Sequence, residues 1–299
     1  MYSNVYTSSP YILGSTLRGA ILRHLIDRYC KALDELQKDN PGFHSKSKCQ
    51  RDCPIRELFF EPTRFSFGWF DGDSPENIQL LGRISLDRET NSVAERALLS
   101  IEARYDDSFR FDVMISEERF ISYIEEGAKL AGEWGIGRFK GVGWGRFKIQ
   151  RVSYNPPSVS TPDKPTPNEL ILRFRTPYVL EEGAHPPLGK EIVQSHIDEA
   201  LGEAGLVKIR EIKGFKIPSI SYVRRWSYEK NQRENRLVAE SRTELIVVFE
   251  QAPTIEQLQL LSWGIGEWGN CGFGSFVADP PNSSSPESHS SLILGINFT

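Results

Sequence analysis

Gly135-Ile136-Gly137-Arg138-Phe139-Lys140-Gly141-Val142-Gly143-Trp144-Gly145-Arg146-Phe147 and Gly264-Ile265-Gly266-Glu267-Trp268-Gly269-Asn270-Cys271-Gly272-Phe273-Gly274-Ser275-Phe276 are two copies of one pattern. Glycines coincide at the first, third, ninth and eleventh places, aromatics at the fifth, tenth and thirteenth, and Trp134 and Trp263 precede the two copies. The copies are offset by 264 − 135 = 129 residues, about the length of one small domain. A shared spacing of this kind implies two related units, each closing with a glycine-rich loop. Glycine lets backbone N–H groups turn outward and a ligand come close, and a row of such groups favours an anion such as phosphate.

Working outward, Ser15 or Thr16 is positioned to cap a helix that follows Gly14. Leu17, Ala20, Ile21, His24 and Leu25 recur at helical spacing, and the helix is expected to run to about Gln37. Arg64 to Phe70, Arg83 to Leu86 and Phe109 to Ile115 alternate like strands. A second helix is expected from Glu117 to Gly132, then the first glycine loop, then a closing strand over Phe147–Ile149. Residues 155–167 are rich in Pro, Ser and Thr and read as a linker. Beyond it come a strand at Leu170–Phe174, a helix at Glu191–Leu201, strands or a long hairpin in 208–236, a strand at Glu244–Phe249, a short helix at Thr254–Leu261, the second loop and a strand at Phe276–Val277. Residues 280–299 read as a low-complexity tail. The expected fold is α+β: two tandem ferredoxin-like domains of the RNA-recognition-motif plan, at 1–154 and 168–279, each with a glycine-rich loop before its last strand.

Composition bounds the function. The 299 residues are 39% hydrophobic and 25% charged, as in a soluble globular protein. No apolar run reaches the ~18–20 residues that span a bilayer, no signal-peptide pattern is visible, and four cysteines do not make a disulfide scaffold. A cytoplasmic location without membrane contact is therefore expected. The net charge of −4 argues against a surface that binds nucleic acid everywhere. Cations are instead confined. From Gly135 to Arg151 stand Arg138, Lys140, Arg146, Lys148 and Arg151 with no acid, and from Lys208 to Arg236 nine basic residues stand against Glu211, Glu229 and Glu234. Such segregation suits a local polyanion site, and equally an ordinary solvated face.

Ile12-Leu13-Gly14-Ser15-Thr16-Leu17-Arg18-Gly19-Ala20 resembles the "IPGSSLRGAL" signature of the RAMP superfamily of CRISPR-associated proteins. Leu58-Phe59 with Arg64-Phe65-Ser66 resembles its "LFG…RLRFSD" segment, and Arg83 to Arg88 with Ala94-Glu95 and Glu102 its "RIAIDR…AEEG…E" hairpin region. Thr176-Pro177 and the second loop resemble the "TP" and "GIGERRxEGFGR" elements of the two-domain RAMP subunit of type III-D effector complexes, over most of residues 10–277. Two departures stand out. The strand that precedes the first signature in the family is short or missing, and Trp268, Asn270 and Ser275 stand where relatives often carry arginines. The resemblance implies a non-catalytic RNA-binding subunit of a type III effector in antiviral defence. Such a subunit grips the 5′ handle of the guide RNA and caps the filament. Its partners are the guide RNA, other RAMP subunits and the large polymerase-like subunit.

The chemistry the residues allow is consistent with this. Single-stranded RNA is held by cations on phosphates and by rings or guanidinium planes stacked on bases. Gly135, Gly137, Arg138, Lys140, Gly143, Gly145 and Arg146 are the candidates in the first loop, Arg18 beside the first helix N-terminus, and Arg224, Arg225 and Trp226 in a second aromatic–basic cluster. The alternative is a metal-independent RAMP endoribonuclease processing precursor CRISPR RNA with His24 as general base; His185, in a loop, is a weaker candidate. No Asp or Glu occurs in residues 1–15, where the type III target-cleaving subunits carry their Asp. A protein–protein adaptor whose glycine loops only pack sheets is a third reading. No cofactor is expected; the alternative is zinc held by Cys30, His44, Cys49 and Cys53, three sulfurs and an imidazole suiting tetrahedral geometry.

Overall fold

The structure is a computed structural model. It describes residues 5–6, 11–30, 53–56, 58, 63–70, 78–86, 93–104, 108–115, 117–137, 145–153, 166–180, 189–202, 206–227, 232–280 and 294–298. The first half runs β1 (Val5–Tyr6), β2 (Tyr11–Ile12), α1 (Gly14–Tyr29), β3 (Arg64–Phe65), β4 (Gly68–Phe70), β5 (Ile78–Leu86), β6 (Val93–Arg104), β7 (Phe109–Met114), α2 (Ile121–Trp134) and β8 (Ile149–Ser153). The second runs β9 (Glu169–Phe174), β10 (Tyr178–Val179), α3 (Lys190–Leu201), β11 (Ile209–Lys216), β12 (Ile220–Ser227), β13 (Gln232–Ala239), β14 (Glu244–Phe249), α4 (Ile255–Ser262) and β15 (Phe276–Asp279), and β16 (Leu294–Phe298) follows.

The fold is α+β. In the second half the sheet order is β11-β14-β9-β15, and β14 and β15 both run antiparallel to β9. With α3 and α4 as the two crossovers this is the ferredoxin-like β-α-β-β-α-β plan. The hairpin β12–β13 is inserted between β11 and β14, where β10 joins it. Its core joins Leu170, Leu172, Phe174, Leu245, Val247 and Phe249 from the sheet to Val193, Ile197 and Leu261 from the helices. At α4 a capping box holds the start: Gln257 N donates to Thr254 Oγ1 at 3.2 Å, and Thr254 N to Gln257 Oε1 at 2.9 Å.

The first half repeats the plan with one substitution. The sheet order is β2-β4-β7-β16-β8, with β3 also on β7, and the hairpin β5–β6 is inserted between β4 and β7. The place held in the second half by β9 is held here by β16, antiparallel to both β7 and β8. The segment 280–299 was expected to be a tail, yet Leu294–Phe298 is an internal strand. Leu294, Ile296 and Phe298 pair in register with Val113, Phe111 and Phe109, all three buried. The period-2 apolar alternation is thus what a half-buried strand requires.

Two local expectations are corrected. α1 begins at Gly14, with Leu13 at the N-cap and no side-chain cap, rather than at a Ser15 or Thr16 cap. A Cβ at Gly14 would lie 2.2 Å from Cys271 O and 2.7 Å from Ser66 O, so the helix start is a packing surface. The strand read across Arg64–Phe70 is two short strands, because Ser66 leaves the ladder: its N donates to Asp112 O, while its Oγ accepts from Asp112 N. Residues 31–37, the expected end of α1, lie outside the described residues.

Candidate nucleic-acid interface

The two glycine loops close in the same way. Ile136 N donates to Gly145 O at 2.9 Å, and Ile265 N to Gly274 O at 3.2 Å. Gly145 and Gly274 both have positive φ, 69° and 66°, and a Cβ on either would lie 2.0 or 2.2 Å from the carbonyl oxygen of Ile136 or Ile265. No side chain fits there, which explains why glycine recurs at the eleventh place.

Their surroundings differ. The second loop is buried: Ile265, Gly269, Cys271, Gly272, Phe273 and Gly274 are all inaccessible. It packs with Phe67, Val179 and Val238 in a core between the halves, onto which Tyr11, Leu13 and Val223 also pack. Thr176 holds it from below, its Oγ1 donating to Gly272 O at 2.7 Å and accepting from Ser275 N at 2.9 Å. Arg236 pairs with Glu267 at 2.8 Å. Of the three places without arginine, Trp268 is buried, Ser275 half-buried and Asn270 exposed.

The described ends of the first loop are exposed. Gly137, Gly145 and Arg146 are exposed, and nothing lies within 4 Å of a Cβ built on Gly137. Trp134, the last residue of α2, is 66% exposed. The His24 ring lies 6.2 Å from the Trp134 ring. Tyr29 donates to Glu126, and Arg28 Nε pairs with Glu126 at 2.8 Å. α1 and α2 therefore run antiparallel, and the N-terminal part of α1, with half-buried Arg18, lies toward the end of α2 that opens into the loop. The bond to Glu126 pushes the Tyr29 phenol up. Arg28 and Tyr29 are thus engaged away from His24. Arg138, Lys140 and Gly143 lie outside the described residues, as does His185.

In the second half, Tyr222 is 73% and Ile220 45% exposed on one face of β12. Arg224 is exposed on that same face and Val223 packs inward. Arg225 pairs in register with Glu234; the side chains of Arg225 and Trp226 lie outside what is described. Of the cluster predicted from sequence, Tyr222 and Arg224 share the exposed face. Some of the cations in 208–236 are neutralised locally, Lys213 by Glu169 and Lys216 by Glu244.

Of the four cysteine and histidine candidates for zinc, Cys30 is buried in the first core and Cys53 packs against it. His44 and Cys49 lie outside the described residues. Among the described residues no three His, Cys, Asp or Glu side chains are grouped to hold a metal, and no helix is long and apolar enough to cross a membrane.

Three groups had no signal in the sequence that marked them. His196 is buried on α3 and its Nδ1 is hydrogen-bonded to the buried Tyr178 hydroxyl. Being sealed beneath the second loop, this pair packs rather than reacts. Arg64 is buried on β3 and donates into the second half. Asp112 on β7 is the third. Burial lifts its carboxyl to about 6, with Arg110 beside it pulling the other way. Above that pH the ionised carboxylate is buried at a cost. As pH falls through about 6 the folded chain takes up the proton and the cost is relieved, until near 4 the unfolded chain is protonated too. Asp112→Asn is expected to raise the unfolding free energy by about 2–3 kcal/mol at pH 7.5, a shift of about two pK units. The gain should fade by pH 4.5. Urea denaturation at the two pH values checks this; an equal difference at both would refute it.

Comparison with known proteins bears on the first half above all. The family model of the RAMP superfamily matches residues 2–148. A solved structure described as CRISPR associated protein Cas6 is similar at 13% identity and a TM-score of 0.39, over 93% of this chain and 96% of that chain. No curated protein matches. The matched residues include the α1 signature, the inserted hairpin and the first glycine loop, and over this half the chain is similar to the RAMP superfamily.

Proposed function

We propose that the chain is a non-catalytic RNA-binding subunit of a type III CRISPR effector complex, working in the cytoplasm. It grips the 5′ handle of the guide RNA and caps the filament beside the other RAMP subunits and the large polymerase-like subunit. The observation that carries this reading is the contrast between the loops. One pattern serves twice: the copy without cations is largely buried, while the copy with them has Trp134 and Arg146 exposed at its two ends. Guide binding at such a loop is a phosphate contact, so it must depend on salt. In the assembled complex, Arg138→Ala with Lys140→Ala is expected to weaken guide-RNA retention. It should also lower the salt slope by about 1.4, at about 0.7 for each single-strand phosphate no longer neutralised. Filter binding across a salt series measures both, and an unchanged slope would sink the reading.

One observation favours a second reading. His24 lies against Trp134 at the mouth of the same loop, within reach of RNA held there, as a general base for metal-independent cleavage requires. Purified protein incubated with repeat RNA in a chelator decides between the two. Specific cleavage abolished in His24→Ala would make the chain an endoribonuclease that processes precursor CRISPR RNA.

A further inference from the structure

The register of the first sheet lines up one residue from each strand in a single row. Tyr11 of β2 pairs with Trp69 of β4, Trp69 with Arg110 of β7, Arg110 with Asn297 of β16, and Asn297 with Arg151 of β8. The row crosses the sheet over about 19 Å, four strand spacings. It lies on the face away from α1 and α2, since the neighbouring residues Phe109, Phe111 and Val152 belong to the helix-side core. Trp69 is 39% exposed, and Arg110 and Arg151 are exposed. Neither arginine has an ion-pair partner among the described residues. The indole makes an edge contact with Tyr11 at 5.7 Å and a tilted contact with Phe67 at 6.2 Å. Next to Arg110 on this face stands Asp112, whose ionised form Arg110 favours.

An anchored ring beside two arginines across a four- to five-stranded open face is chemistry for a flexible polyanion with flat bases. We propose that this row is a second RNA-contact surface, on which Trp69 stacks a base and Arg110 and Arg151 take the flanking phosphates of a single strand. This rests on the reading of the chain as an RNA-binding subunit and adds to it a place distinct from the glycine loop. β16 lies between β7 and β8 in this sheet and sets the spacing of Arg110 and Arg151, so the surface exists only when β16 is in the sheet.

The test uses the full chain, a short fluorescein-labelled oligouridine and anisotropy over a salt series. Trp69→Ala is expected to weaken binding roughly tenfold or more, and Trp69→Phe to restore most of it. Arg110→Gln with Arg151→Gln should lower the salt slope by about 1.4. Thermal melts and the Phe rescue separate the removal of a stacking ring from damage to the fold. If Trp69→Ala binds as the parent does while Arg138→Ala with Lys140→Ala binds more weakly, the row is overturned and the RNA-binding reading stands. An effect of the arginine pair without one of Trp69 overturns base stacking and with it the proposal. A parent chain with no affinity for the oligonucleotide, or with affinity only for a protein at this face, overturns both.

Discussion

A chain lacking residues 292–299 is expected to lose the ordered sheet of its first half while keeping that of its second. β16 supplies the central position between β7 and β8, and among the described strands β8 pairs with nothing else. Removing it strips both neighbours of their ladder and uncovers Phe109, Phe111 and Val113, which are at most 5% exposed. Each hydrogen bond contributes about 1 kcal/mol net, and each large apolar side chain about 1.5–3 kcal/mol on burial. The loss is therefore on the order of 5 kcal/mol or more, comparable with a domain's whole net stability of about 5–15 kcal/mol. Hydrogen exchange should show protection gone from Phe109–Met114 and Ile149–Ser153 and kept in Glu244–Phe249, whose ladder partners are β9 and β11. Ile296→Pro, which puts an imide in a central strand, should reproduce the pattern with the chain at full length. Protection at Ile149–Ser153 equal to that of the parent would contradict the topology. Because the first glycine loop ends on β8, guide-RNA affinity should fall together with that protection.

That strand marks the limit of what the sequence discloses. The repeat is readable because glycine is irreplaceable at Gly145 and Gly274, where a carbonyl occupies the space of a Cβ. Glu244–Phe249 is readable because an apolar strand at the centre of a sheet carries its own signal. The helix at 190–201 follows from periodicity, and that at 255–262 from its Thr254 cap after Pro253. Leu294–Phe298 carries a proper alternation too, but it is short, follows a Pro/Ser-rich stretch, and pairs with strands more than 140 residues earlier. Local pattern says that such a segment can be a strand and never says where it inserts. The same holds for the row from Tyr11 to Arg151, whose members are unremarkable alone and become neighbours only through register. The absence of cations from the second loop was legible as a difference; its packing against Phe67 is a tertiary fact.

Arg64→Met is expected to uncouple the two halves. Arg64 is buried, yet no carboxylate pairs with it among the described ion pairs, and its donors go to carbonyls of the other half. Its Nη1 donates to Leu260 O at 2.9 Å and to Gly264 O at 3.3 Å, and its Nη2 donates to Ala200 O. Ala200 and Leu260 lie in the last turns of α3 and α4, where unsatisfied carbonyls and the negative end of the helix dipole both favour a cation. Burial presses the guanidinium toward losing its charge, and the nearby Glu199 opposes this; its strong intrinsic basicity keeps it charged. Methionine keeps the apolar stem and strands the carbonyls, a loss of about 3–5 kcal/mol for a buried charged network. Lysine offers a point charge in place of a planar fork and should recover part of it. The loss falls on the seam, so calorimetry of Arg64→Met should replace one transition with two. Gly14→Ala, which drives a Cβ into Cys271 O across the same seam, should do likewise. A single transition at the parent's temperature in both variants would show that the halves are not held together at this seam. Two transitions with guide-RNA binding by the first loop retained would show that the buried second loop serves to join the halves while the first serves the ligand.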